Sequence, residues 1–306
     1  MRIVSLLPSL TELVCALGRG DELVGVTHEC DFPPGVERLP HLTRSRIPAA
    51  ASSAEIDALV SEHRGSLYEL DDARLAGLRP ELILTQAQCD VCAVEEAATR
   101  RAAAALPGSP PVESVNPTDL AGLHAMFRQV GDLLGARPEA DALVDRFESA
   151  AGEIARRRRG RPVVRVVHLE WLDPPFSSGH WNPELFALAG GLELLSRPGT
   201  PSRRLEWSAI HAAAPEVVLL APCGFALDRT LADLPPLLAR PEWQSLMRGD
   251  VRLVVVDGSA YFSRPGPRLE TSLHLAAAAI DPETCGDLAP AGTLVQLRPG
   301  PDRRGA

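Results

Sequence analysis

The stretch that most constrains the fold is residues 118–159, a charged arm with helical spacing near the middle of a 306-residue chain. Leu120, Leu123, Phe127, Val130 and Leu134 recur along one helix face. Gly135-Ala136-Arg137-Pro138 interrupts the pattern, and Leu143, Val144, Phe147, Ala151 and Ile154 then follow one face of a second helix. Pro138 suits a first helical turn. Glu139 and Asp141 sit where the helix dipole favours acid, and the arginines at 156–159 sit where it favours base, with Gly160 as the stop. At ~1.5 Å per residue this second helix, residues 138–159, spans about 33 Å, roughly a small domain's diameter. Strand and helix patterns alternate on both sides of the arm, which therefore reads as a strut between two α/β lobes. A surface helix pair within one domain is the alternative.

The length favours the strut, because single cores usually stop growing before 306 residues. Before the arm, residues 3–6, 23–27, 66–70, 81–85 and 112–115 read as strands. Ser9-Leu10-Thr11-Glu12 opens a helix in capping-box spacing, and further helices cover 53–63, 71–78 and 94–106. After the arm, 163–168, 217–220 and 252–256 read as strands, with helices at 184–188, 207–213, 229–238 and 268–280. Loops are expected over 170–183 and 257–267, and a Gly-, Pro- and Arg-rich end from about Asp287 reads as a loose tail. The expected divisions are a first lobe 1–117, a helical arm 118–159, a second lobe 160–285 and a tail 286–306. One echo supports duplication: Leu78-Arg79-Pro80-Glu81-Leu82-Ile83-Leu84 against Ala213-Ala214-Pro215-Glu216-Val217-Val218-Leu219, each a helix end, Pro-Glu and a buried strand.

Composition removes several function classes. A net charge of −9 is unsuited to nucleic acid, which needs a basic surface to displace counterions. The chain has no lysine, so it has neither a Schiff-base nor a P-loop lysine. No apolar run approaches the ~18 residues of a membrane span. Met1-Arg2 runs directly into an apolar strand, so the expectation is a cytoplasmic protein, periplasmic only if the true start lies upstream. Neither a G-x-S-x-G elbow nor a G-x-G-x-x-G after a strand is present. Binding is therefore expected more than catalysis.

In open parallel sheets, ligands bind beyond the carboxyl ends of strands. Seven of the 13 aromatic residues fall in such loops: Phe32, Trp171, Phe176, Trp181, Phe225, Tyr261 and Phe262. With Glu29, His180 and Arg264 they are the candidate ligand-binding residues, suited to a flat organic ligand, although such loops also fold back into small satellite cores. Four of the six cysteines, Cys30, Cys89, Cys92 and Cys223, also follow strand ends, with His28 nearby. Cys89-Asp90-Val91-Cys92 before a helix is a C-x-x-C pair whose thiols a helix dipole acidifies. Together these residues are candidates for zinc or an iron–sulfur cluster, in a metalloprotein or redox enzyme. Inert thiols are the alternative.

Arg2-Ile3-Val4-Ser5-Leu6-Leu7-Pro8-Ser9-Leu10-Thr11-Glu12-Leu13 resembles the opening of mature vitamin B12-binding and iron-siderophore-binding proteins of ABC importers. So do Val24-Gly25-Val26 before Asp31-Phe32-Pro33-Pro34, the Arg79-Pro80-Glu81-Leu82-Ile83 strand, and Pro174-Pro175-Phe176-Ser177-Ser178-Gly179. The resemblance runs from about Arg2 to Ile280. It implies the class III solute-binding-protein fold: α/β, two Rossmann-like lobes with parallel-rich sheets bridged by a long helix. It further implies a corrinoid such as cobalamin, or another metal chelate, held between the lobes, with Phe32 and Phe176 among the aromatic contacts. That family docks on its permease through an acidic residue of each lobe, which places Glu95 or Glu96 on the first; without export, such docking is not expected. The cysteines at 30, 89 and 92, with Glu170-Trp171-Leu172-Asp173 and His180-Trp181, resemble instead a cytoplasmic branch labelled cobalamin-binding.

Overall fold

The computed structural model describes residues 1–48, 50–62, 67–87 and 96–297. They form two compact units. Unit 1 comprises Met1–Pro117 with Ala121–Asp145, and unit 2 comprises Thr118–Leu120 with the chain from Arg146 on.

Unit 1 begins β1 (Ile3–Ser5), α1 (Pro8–Ala16), β2 (Leu23–Gly25), β3 (Thr43–Ser45), α2 (Ser53–Glu62), β4 (Tyr68–Leu70) and α3 (Asp72–Leu78). It continues β5 (Leu82–Thr85), α4 (Glu96–Ala104), β6 (Val112–Ser114) and α5 (Leu120–Leu133). A four-stranded sheet in the order β2-β1-β5-β6 is parallel throughout, while β3 and β4 pair antiparallel on their own. Every residue of β5 is buried, as a parallel strand covered on both faces requires. Val4, Leu6, Ile83, Leu75 and Ala103 form the core beside that sheet. The predicted capping box at Ser9 does not form. Pro8, with its φ preset for a helix and no N–H to satisfy, starts α1 with Leu7 as its cap, two residues earlier, and Ser9 is buried inside the first turn.

Helix α6 (Arg137–Arg157) follows the break, with Glu139 in its first turn and Arg156 and Arg157 in its last. The break is a glycine turn: Gly135 has φ 62°, and Ala136 N–H donates to the Gly131 carbonyl at 2.7 Å, closing α5. The boundary between the units falls within α6, between Asp145 and Arg146. The predicted helix over 138–159 is thus present nearly to the residue.

Unit 2 contains β7 (Val164–Leu172), β8 (Pro175–Ser177), α7 (Asn182–Leu188), β9 (Gly191–Glu193), α8 (Trp207–Ala213) and β10 (Val217–Leu220). Then come α9 (Leu227–Leu238), α10 (Pro241–Met247), β11 (Arg252–Val256), α11 (Leu269–Ile280) and β12 (Leu294–Leu297). Its six-stranded sheet runs β12-β11-β10-β7-β8, with β9 on β7. Strands β9, β7, β10 and β11 are mutually parallel, and β8 and β12 are antiparallel additions. Val167, Leu169, Val218, Leu220, Val255 and Trp243 anchor the core.

Two expectations are corrected here. The predicted loop from Glu170 begins as strand, because β7 continues to Leu172 and folds back through Asp173-Pro174 into β8. And within the expected loose tail, Leu294–Leu297 pairs antiparallel with Val256–Leu253 at the sheet edge. Its half-exposed and exposed residues suit such an edge, and Gly and Pro on either side concealed the strand in the sequence.

Candidate functional site

In unit 1 the turn after β2 carries His28, Glu29, Cys30 and Phe32. His28 is fastened twice to one hydroxyl: its backbone N–H donates to Thr43 Oγ1 at 3.1 Å, and its Nδ1 lies 2.7 Å from the same oxygen. Its ring lies 5.2 Å from that of Tyr68, and its Nε2 is 3.3 Å from Glu29. Phe32 is 40% exposed, an unusual position for a phenylalanine. Cys30 is buried, with Sγ 3.1 Å from Thr11 Oγ1 and 3.3 Å from Thr27 Oγ1. Those contacts, with Val26 and Val36 around it, describe a small packed residue. Cys15 packs beside it; burial first, and then the neighbouring Cys30, pushes the Cys15 thiol up to about 11.

Cys89, Cys92 and Glu95 lie outside the described residues. Among the described residues no group of three or more His, Cys, Asp or Glu is arranged to hold a metal ion. Cys223 belongs to unit 2, where its backbone N–H donates to the Glu170 carbonyl at 3.0 Å. Glu96 opens α4, and its carboxylate is engaged by Arg100 at 2.6 Å and the Ser114 hydroxyl at 3.0 Å.

In unit 2 the candidate aromatics separate into two sets. Trp171 and Phe176 are register partners across the β7–β8 hairpin, and both are partly exposed. Tyr261 lies in a single π-helical turn, Gly258–Phe262, with the Arg268 guanidinium 5.4 Å from its ring centre. The remaining three are core residues. Phe225 is 2% exposed, with the Trp171 edge 5.3 Å away and the Arg229 guanidinium 3.9 Å over its face. Phe262 is 1% exposed and stacked on Phe186 at 5.9 Å and 7°. Trp181 is 5% exposed. Phe225, Phe262 and Trp181 are thus buried rather than presented at a surface. Arg264 is buried as well and donates to Ser259 Oγ at 3.3 Å, which makes it a brace of the π turn.

His180 stands between β8 and α7 with φ 56°, a left-handed conformation that is uncommon for a residue with a side chain. Its N–H donates to the Thr200 carbonyl at 2.7 Å, and its carbonyl accepts from Gly199 N–H at 3.0 Å. Gly179 before it packs so closely on the backbone of 200–202 that no Cβ fits. Burial pulls the imidazole pKa below its ordinary value.

Sequence reading missed a buried polar centre in the same unit. His168, in the middle of β7, is completely buried, with Phe186 and Phe262 rings at 5.3 and 5.1 Å. Burial lowers its pKa to about 3, so it is neutral. Neither ring nitrogen has a hydrogen-bond partner among the described residues. Glu193 on β9 is buried nearby and accepts from Leu195 N–H at 3.1 Å and His168 N–H at 3.4 Å. Burial outweighs those hydrogen bonds and raises its pKa to about 7. Neither residue belongs to a motif; the one signal available was a charged residue two places after Gly190-Gly191 in an otherwise apolar stretch.

This geometry has relatives. The sequence model of the periplasmic binding protein family matches residues 3–247. A vitamin B12-binding protein of Yersinia pestis (strain Pestoides F) is 22% identical over 271 residues, which are 88% of this chain and 82% of that protein. Among solved structures, a periplasmic heme binding protein from Pseudomonas aeruginosa superposes with a TM-score of 0.70 at 22% identity, over 98% of this chain and 99% of the other. The periplasmic vitamin B12 binding protein of Vibrio cholerae superposes with a TM-score of 0.61 at 17% identity, over 92% and 96%. At such identities the structural likeness establishes the fold, class III of the solute-binding proteins. The family match covers most of the sequence and both parallel sheets up to α10, and on that extent the chain belongs to the periplasmic binding protein family.

Proposed function

We propose that this ligand-binding protein takes a metal tetrapyrrole, a corrinoid or a heme. The observation that carries the reading is the likeness, along nearly the whole chain, to proteins whose names give vitamin B12 and heme as ligands. The chain's own surface supports it. A tetrapyrrole has broad apolar faces and a polar rim; the partly exposed rings of Phe32, Trp171, Phe176 and Tyr261 suit the first, and the Arg268 guanidinium beside Tyr261 suits the second. Glu29 and His180 are the polar members of the proposed set. Phe225, Phe262, Trp181 and Arg264 are buried and are left out of the proposed set.

Titration with hemin, aquocobalamin and dicyanocobinamide, followed by visible absorbance and tryptophan fluorescence, tests this. One of them is expected to bind below about 1 μM, or about −8 kcal/mol. No spectral change with any of the three up to ~1 mM, where binding amounts to only about 4 kcal/mol, removes the reading. Phe32→Ala or Tyr261→Ala is expected to weaken binding about tenfold while leaving the fold intact, about 1.4 kcal/mol. Phe262→Ala should instead cost about 3–5 kcal/mol of stability.

The zinc or iron–sulfur alternative depends on Cys89 and Cys92. Metal and sulfide analysis of anaerobically purified protein decides it, and a stoichiometric metal lost in the Cys89→Ser, Cys92→Ser double variant is the result that sustains it. Docking on an ABC permease through Glu96 has a simpler check, since Glu96→Gln should then abolish ligand-stimulated ATP hydrolysis by the permease without altering ligand affinity.

A further inference from the structure

We propose that His180 coordinates the metal of the bound tetrapyrrole through an imidazole nitrogen, an assignment that rests on the tetrapyrrole reading above. A metal at the centre of a planar chelate leaves axial positions open, and a neutral imidazole is among the groups that fill them. The histidines of the described residues differ in whether they offer one. His168 is sealed between Phe186 and Phe262. His28 commits Nδ1 to the Thr43 hydroxyl and sets Nε2 against Glu29. His41 and His124 have buried Nε2 atoms, His211 lies on helix α8 with its ring against Trp207, and His274 is half-buried in the middle of helix α11.

His180 meets the requirement in two ways. Its ring is partly exposed and, among the described residues, engages in no hydrogen bond; its one ring neighbour is Trp181, 5.8 Å away. Its backbone is held in the left-handed conformation from both sides, by Thr200 and Gly199, on a glycine step with no room to relax. Such a conformation is strained and persists where a surrounding structure enforces it, commonly at binding sites. A loop pinned at its backbone thus carries a partly exposed imidazole. Coordination forms one nitrogen–metal bond and releases one metal-bound water, with no change of oxidation state.

The experiment compares wild type, His180→Ala and His180→Asn with three probes: hemin, aquocobalamin and metal-free protoporphyrin IX. Asn tolerates the left-handed backbone, so it separates loss of the ligand from loss of the loop. Wild type is expected to show an imidazole-type metal spectrum with hemin or aquocobalamin. Both variants should revert to the water-bound spectrum with about tenfold weaker binding. Free imidazole should restore the spectrum, and all three proteins should bind the metal-free ring alike. Wild-type spectra and affinities in both variants, or an equal loss toward the metal-free ring, overturn the assignment while the tetrapyrrole reading stands. Tyr261→Phe supplies the competing arm: loss of the wild-type metal spectrum there, with His180→Asn unaffected, moves the axial ligand to the phenolate. No binding of any probe by wild type removes both readings.

Discussion

Compared strand by strand, the two sheets are one frame used twice. The parallel order β2-β1-β5-β6 in unit 1 corresponds to β9-β7-β10-β11 in unit 2. The joint that enters β5 matches the one that enters β10 in detail. Arg79 and Ala214 both end their helices left-handed, at φ 48°, ψ 58° and φ 46°, ψ 57°. Glu81 and Glu216 each donate a backbone N–H to the carbonyl of an arginine at the start of the neighbouring strand, Arg2 just before β1 at 2.8 Å and Arg165 among the first residues of β7 at 2.9 Å. Each also returns a carboxylate to that arginine's N–H, at 2.6 and 2.9 Å. The difference lies at the other end of the strands. β1 has three residues and passes at once to α1, whereas β7 has nine and doubles back as β8 before α7 begins. Trp171, Phe176 and His180 all belong to that addition. The shared frame supplies stability, and the unshared hairpin supplies candidate ligand contacts.

Unit 2 also holds charged and titratable groups that have no counterpart at the matching joint of unit 1. The most severe way to break it is Asp281→Ala. Arg158 and Asp281 are 7% and 4% exposed and 3.2 Å apart, the one ion pair among the described residues with both side chains buried. Burial opposes the Asp281 charge, but hydrogen bonds from Arg158 and Thr284 and the charges of Arg161 and Arg158 prevail and hold its pKa below the ordinary value. Removing the carboxylate strands the guanidinium, and a loss of about 3–5 kcal/mol is expected in chemical denaturation.

The second test uses pH. His168 titrates at about 3 in the native protein against 6.5 when free, so its contribution is complete above pH 6.5 and drains away as pH falls toward 3. Glu193 has the opposite sign: raised from 4.5 to about 7, its contribution is complete below pH 4.5 and is lost as pH rises to 7. Each slope reaches about 1.4 kcal/mol per pH unit. Between pH 4.5 and 6.5 they oppose each other, and wild-type stability should be nearly flat there. His168→Leu should then expose a stability that falls with rising pH, and Glu193→Gln one that rises. Parallel curves for both variants and wild type would separate these residues from the pH response.

The smallest effect sharpens the likeness rather than the difference. Arg79→Gly and Ala214→Gly each relieve a left-handed residue, so each should stabilise by about 1 kcal/mol, and by the same amount. Unequal gains would mean that the two joints carry different loads.

Much of this frame was legible in the residues. The Pro-Glu echo located both joints, and the helix at 138–159 appears as Arg137–Arg157 with the charges at its ends as expected. Those signals are local: proline removes a donor, glycine accepts positive φ, and charges meet a dipole within one turn. The site was legible only as a set of loops. Trp171 and Phe262 look equivalent as aromatics after strands, yet one is partly exposed and the other stacks on Phe186. Which way a ring turns depends on partners in distant segments, and spacing does not encode them. Cys30 makes the same point, because the hydroxyls of Thr11 and Thr27 that enclose it give it a packing role no cysteine count reveals.

By itself the sequence determined the alternation of strands and helices, the long helix and the duplicated joints, since each follows from backbone geometry within a few residues. Only the tertiary structure decided that β7 turns back as a hairpin, that Glu193 and His168 are buried together, and that Phe225 and Phe262 are core. The reason is burial. The cost of an unpaired charge or a hidden ring is set by what packs around it, and those neighbours come from segments far apart in the chain.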